Sequence, residues 1–168
     1  MSVRRLDELR RGQAQEFGGK AANLGELTAC GVEVPPGFAI SISGYLAHAD
    51  RCGLRAALGS LIAEERWQEV EQAAAGILSS VPVDPELASA IVGAFRCLGA
   101  PLVAVRSSAT GEDAAATSFA GQYRTHLNLS GEEALIEGVR SCWSSLWGRR
   151  AVEYRQRWSL DHFAQGMG

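Results

Sequence analysis

Apolar residues recur at helical spacing through much of this 168-residue chain, and glycine, proline and hydroxyl clusters punctuate the periodic stretches. After a polar stretch at Gly12–Glu16, the spacing predicts a short helix from about Lys20 to Cys30, with Leu24 and Leu27 on one face and Gly31 as its terminator. Pro35-Pro36-Gly37 breaks the chain, Phe38–Ile42 reads as a strand, and a helix is expected over Gly44–Arg51. A longer helix follows from about Ser60 to Ser79, where Trp67, Val70, Ala74 and Ile77 share a face. The next opens with Asp84 as N-cap and Pro85 in its first turn, carries Leu87, Ile91, Phe95 and Leu98 as an apolar stripe, and stops at Gly99.

Leu102–Val105 reads as a buried strand running into Arg106. A long polar loop, Ser107–Gly121, leads to an alternating strand at Gln122–Leu129. Ser130 and Glu133 have the spacing of a capping box, and the helix they introduce lines up Leu135, Val139, Trp143, Leu146 and Trp147. Gly148 separates it from a last helix over Arg149–Trp158. Strands and helices in this irregular order predict an α+β fold, not a doubly wound sheet.

Composition refines this picture by exclusion. A length of 168 residues suits a single domain, able to bury a core without staples. A formal net charge of −3 and the lack of a basic stripe argue against a nucleic-acid partner. No apolar run approaches the roughly 20 residues of a membrane span, and the N-terminus lacks the apolar core of a signal peptide. A cytoplasmic protein is expected. Cys30, Cys52, Cys97 and Cys142 are too widely spaced for a zinc site or a disulfide framework, and read as reduced, mostly buried thiols.

Three segments place charge beside bare backbone. In Phe17-Gly18-Gly19-Lys20, paired glycines at a helix start leave amides uncovered, and Lys20 adds a full positive charge. The segment reads either as an anion site or as a glycine turn with a solvated lysine. It is no Walker A loop, because Ala14 and Ala21 stand where that motif needs glycine and a hydroxyl. In Val105–Thr110, Arg106 at the end of a buried strand should point into a cleft, toward phosphate oxygens or into an ion pair with Glu112 or Asp113. In Thr117–Gln122, small and hydroxyl residues before Gly121 make a mobile loop whose amides could close over a phosphate. His48, His126 and His162 fall in unrelated contexts and read as structural. No catalytic triad, metal-ligand spacing or magnesium-binding acid stands out, and Glu112-Asp113 reads as a solvated pair.

Taken together these segments resemble the phosphoenolpyruvate synthase and pyruvate phosphate dikinase family. The resemblance rests on Gly18–Leu27, Gly31, Val34–Phe38, Val105–Thr110, Glu112-Asp113, Ser118–Gln122, Ser145-Leu146, Arg150-Ala151 and Tyr154-Arg155. It spans nearly the whole chain, with residues 52–98 the least distinctive part.

The resemblance implies the first subdomain of an ATP-grasp-type nucleotide-binding domain, a mixed sheet with flanking helices that forms the phosphate-binding half. In such enzymes ATP is split to AMP and phosphate, and a phosphoryl group passes through a histidine on another domain to pyruvate or a different acceptor. Carried over to this chain, Lys20 and Arg106 would bind the ATP phosphates, with Arg106 also stabilising the transferred group. Gly121, Gln122 and Thr125 would contact the β- and γ-phosphates. The Mg2+ ligands, the rest of the adenine pocket and the phosphohistidine would lie outside this chain, in further domains or a protein partner. The Gln-x-Met-Val-like strand of the family is replaced here by Phe163-Ala-Gln-Gly-Met-Gly168. A regulatory module that binds nucleotide or a partner, or an inactive fragment, are the alternative expectations.

Overall fold

The computed structural model describes residues 2–110 and 123–168, with only the backbone of the short strands at 113–114 and 117–118 between them. Gly121 and Gln122 lie outside the described residues.

Strand β1 (Val3–Arg5) pairs antiparallel with β2 (Phe38–Ile40), Val3 facing Ile40 and Arg5 facing Phe38. Between them lie two single-turn helical segments, a one-turn helix α1 (Ala14–Phe17) and α2 (Gly19–Ala29). The buried face of α2 is Ala21, Ala22 and Gly25, in place of the expected Leu24 and Leu27, and Leu27 is 44% exposed. Small residues win this face because the backbone of Leu6–Leu9 lies against the helix; a Cβ on Gly25 would come within 2.5 Å of the Leu9 carbonyl. Gly31 ends α2 as expected, its amide on the Thr28 carbonyl and that of Val32 on Leu27.

Four helices follow: α3 (Ile42–Arg51), α4 (Leu54–Ala63), α5 (Trp67–Ser80) and α6 (Pro85–Leu98). The expected strand over Phe38–Ile42 is therefore shorter, because Ile42 already begins α3. The single helix expected over Ser60–Ser79 is two helices, broken where Glu65 adopts a φ of +55°. Val70, Ala74 and Leu78 of α5 and Leu54 and Leu58 of α4 then reach the same core. The start of α6 matches the sequence pattern: the Asp84 carboxylate accepts from the amides of Glu86 at 3.0 Å and Leu87 at 3.2 Å.

Strand β3 (Val103–Arg106) is half-exposed and not buried as expected, since Ala104 and Arg106 face outward while Val103 and Val105 face inward. Two short strands, β4 (Asp113–Ala114) and β5 (Thr117–Ser118), form an antiparallel pair inside the segment expected to be loop. Strand β6 (Thr125–Leu129) pairs antiparallel with β3, Arg106 facing Thr125 and Val105 facing His126. A bulge follows, with Val103 opposite Leu129 and Asn128 at a φ of +58°. Among the described residues every strand has one antiparallel partner, so the anticipated mixed sheet is replaced by three two-stranded pairs. The coarser expectation holds: helices and strands are mixed in an α+β arrangement.

Helix α7 (Glu132–Ser145) covers the inner face of β3 and β6, and α8 (Arg149–Arg157) follows. Close approach is possible because Gly138 lies against the sheet; a Cβ there would meet Leu129 Cδ1 at 2.6 Å. The stripe of Leu135, Val139, Trp143, Leu146 and Trp147 is buried as the spacing predicts. Trp147 Nε1 donates to the Tyr45 hydroxyl at 2.9 Å, tying the end of α7 to α3. The capping box is not formed, for the N-cap of α7 is Gly131 and no side chain caps it. Of the four cysteines, all free, only Cys142 is buried; Cys30 and Cys97 are exposed, contrary to expectation, because each sits at the open C-terminal end of a surface helix.

The C-terminal segment returns to the strand end of β3. Ala109 and Met167 form an antiparallel bridge, flanked by Ser108 N to Gly168 O at 3.2 Å and Gly168 N to Ser108 O at 2.9 Å. Met167 is fully buried there.

Candidate phosphate site

The residues after β3 are held from two sides. On one side is the tail just described; on the other is the first turn of α2. Gly18 is its N-cap, with φ +82° and ψ 160°, a conformation essentially restricted to glycine. The same residue permits contact: a Cβ would lie 2.0 Å from the Ser108 carbonyl oxygen. The Ala21 amide donates to Ser108 Oγ at 3.0 Å, and the Gly19 amide points at the Ala109 carbonyl at 3.5 Å. These amides are thus taken up by the protein's own oxygens, which corrects the expectation of bare backbone at this helix start. Positive charge at the site comes from side chains.

Lys20 is the first of these. Its Nζ donates to the Ser107 carbonyl at 3.3 Å, which places the ammonium beside the C-terminal end of β3. Arg106, the preceding residue, is exposed on the outward face and unpaired among the described residues. The expected alternative, an ion pair with Glu112 or Asp113, concerns side chains outside the described residues. Thr125 is the register partner of Arg106, so both side chains stand on the sheet face turned away from α7. The Lys20 ammonium and the Arg106–Thr125 pair therefore lie at the same end of the β3–β6 ladder.

Below this locus the sheet is backed by inert chemistry. The Cys142 thiol donates toward the Arg124 carbonyl at 3.4 Å, and burial pushes its pKa up to about 11. His126 stands on the inner face of the ladder opposite Val105 with its Nε2 buried. His48 and His162 lie in the core, packed at a tilt against Trp143 and Trp67 respectively, and burial lowers the pKa of both. Among the described residues no group of three His, Cys, Asp or Glu side chains could hold a metal ion. A groove of about 730 Å³ between β1, α3 and α6 includes neither Lys20 nor Arg106. Its rim sets Arg4 and Arg5 against Glu8, Asp84 and Glu86, so it concentrates no single charge.

Two residues named in sequence only as parts of motifs have roles that the pattern did not show. The first is Ser108, whose role depends on contacts distant in the chain. The second is Arg155, fully buried, with Nη2 donating to the Leu146 carbonyl at 2.7 Å and Nε to His162 Nδ1 at 3.4 Å. Its position on the Ala151–Val152 face of α8 is the signal that could have found it.

The α+β fold thus sets a helix-start lysine at the end of the strand that carries Arg106. The chain belongs to the pyruvate phosphate dikinase AMP/ATP-binding domain family, which matches residues 14–168. It is therefore a dikinase-type AMP/ATP-binding region. The phosphoenolpyruvate synthase of Aeropyrum pernix is 41% identical to it, over 94% of this chain and 21% of the relative. A probable phosphoenolpyruvate synthase of Methanothermobacter thermautotrophicus is 35% identical, over 94% of this chain and 25% of the relative. The rifampicin phosphotransferase of a Streptomyces species is 40% identical, over 91% and 19%. The chain spans between about a fifth and a quarter of the length of these relatives. Among the described residues no single helix is long and apolar enough to cross a membrane.

Proposed function

We propose that residues 1–168 form the phosphate-gripping part of an ATP-grasp-type domain in a dikinase-type phosphotransferase. Lys20 and Arg106 bind the ATP phosphates, and Thr125, with Gly121 and Gln122, contacts the β- and γ-phosphates. The observation that carries this reading is the placement of Lys20 Nζ, 3.3 Å from the carbonyl of Ser107, the residue that follows Arg106. Two cations at one strand end, one of them a planar donor fork, suit a polyphosphate, whose transfer depends mainly on positioning and charge stabilisation.

The Mg2+ that accompanies ATP in phosphoryl transfer does not fit the residues at this locus. Lys20 and Arg106 repel a cation, and no cluster of acids, histidines or cysteines among the described residues could hold one. Its ligands, the second ATP-binding half and the histidine that carries the phosphoryl group belong to further domains or a protein partner. The acceptor, pyruvate or another molecule, binds there as well.

Calorimetry of the full chain with ATP, alone and with the completing domains, tests the proposal. Arg106→Ala should weaken binding at least about tenfold, the worth of one charge-assisted hydrogen bond. Unchanged affinity in that variant removes Arg106 from the site. A second reading, a non-catalytic partner-binding module, draws support from Leu102, just before β3, and Leu127 on β6, which are 53% and 65% exposed.

A further inference from the structure

Ser107 and Ser108 look alike in sequence, yet the fold uses them differently. Ser107 offers its carbonyl to Lys20 while its own buried hydroxyl has no partner among the described residues. Ser108 is engaged on every side. Its hydroxyl accepts from the Ala21 amide at 3.0 Å, its backbone N–H and C=O pair with Gly168, and its carbonyl lies against Gly18. It is 5% exposed, so it sits beneath the locus and not in it.

The Ala21 amide belongs to the residue immediately after Lys20. Holding it fixes the first turn of α2 against the end of β3, and that fixes where the Lys20 Cα stands relative to Arg106. A lysine side chain is long and flexible, and its ammonium is useful to a bound anion only if the stem starts from a fixed point. The Ser108–Gly168 backbone pair beside the Ala109–Met167 bridge holds the other side of Ser108, so the residue is anchored against the pull of the helix.

We infer that Ser108 is a positioning residue for the phosphate site: its hydroxyl registers the Lys20-bearing helix turn on the Arg106-bearing strand. The inference rests on the phosphate reading above. It adds to that reading a residue that touches no ligand.

A double-mutant cycle on the full chain tests it, with tripolyphosphate and ATP as probes and calorimetry as readout. Ser108→Ala should weaken tripolyphosphate binding about tenfold when Lys20 is present, the loss of one hydrogen bond with some misplacement of the charge. In a Lys20→Ala background the same change should cost less than about twofold, because the residue it positions is gone. Amide hydrogen exchange at Ala21 should quicken in Ser108→Ala. If the alanine variant does not fold, Ser108→Cys keeps the volume, weakens the acceptor and gives the same comparison.

Equal losses in both backgrounds, or no loss in either, would overturn the positioning role while leaving the phosphate site intact. A wild-type chain that binds neither tripolyphosphate nor ATP would overturn the phosphate reading and this inference with it.

Discussion

The Nε of Arg155 donates to Nδ1 of His162 across 3.4 Å, with the guanidinium fully buried and the imidazole nearly so. A ring nitrogen that accepts from a guanidinium cannot carry a proton. The His162 tautomer is therefore fixed with its proton on Nε2, facing Gln156 Oε1 at 3.4 Å. Arg155 also holds the Leu146 carbonyl at the end of α7, so this pair joins α7, α8 and the segment leading to the tail.

Protonating His162 would set two cations against each other in the core, and burial already lowers its pKa, as it does that of His48. The unfolded chain takes up these protons near the ordinary value of 6.5, and the folded chain only at lower pH. Stability should therefore be full above about pH 6.5 and fall as pH drops toward the folded pKa values. Melting temperatures recorded from about pH 7.5 down to about pH 5 should show this decline, and His162→Asn should flatten it. A flat wild-type profile would contradict the assignment.

Two helix starts make opposite predictions. Asp84→Ala removes a side chain that accepts from two amides and should cost about 1 kcal/mol. Ser130→Ala, at a position that resembles a cap in sequence, should stay within about 0.5 kcal/mol, because Gly131 is the N-cap of α7. Urea denaturation of both variants checks the pair.

Gly18→Ala should be severe. A side chain would face a φ of +82° and a carbonyl oxygen 2.0 Å from its Cβ. The backbone conformation alone costs about 1–3 kcal/mol, before any displacement of Ser108. Loss of thermal stability should come with loss of tripolyphosphate binding, since Lys20 moves with the turn.

Trp143 is 1% exposed and packs between Tyr45 and His48, with ring centroids at 6.0 and 5.2 Å. Trp143→Ala should cost about 3–5 kcal/mol and can leave the chain unfolded at physiological temperature. Chemical denaturation reads the loss directly.

The elements marked by local chemistry were legible from sequence. Asp84-Pro85 and Gly99 bracket α6 because capping and termination need only neighbouring residues. The break between α4 and α5 was not, since Glu65 takes a left-handed conformation without the glycine that normally signals one. Arg106 and Lys20 could be singled out because each places charge at an element's end, yet nothing local says that the Lys20 ammonium reaches the end of β3. Ser108 was hidden for the same reason: its significance arises from Gly18, Ala21 and Gly168, all remote in the chain. The burial of β3 was overestimated because hydrophobic runs do not reveal that α7 covers one face only.

The clasp around Ser108–Thr110 carries a kinetic consequence. Its partners lie 87 residues earlier, at Ala21, and 56 residues later, at Gly166. Such loops close late, because their entropy must be lost before the contacts form. Helices α3–α6 can assemble from neighbouring contacts while the two cations are still far apart. Appearance of anion affinity during refolding would then mark the final step of folding and lag behind the return of helical signal.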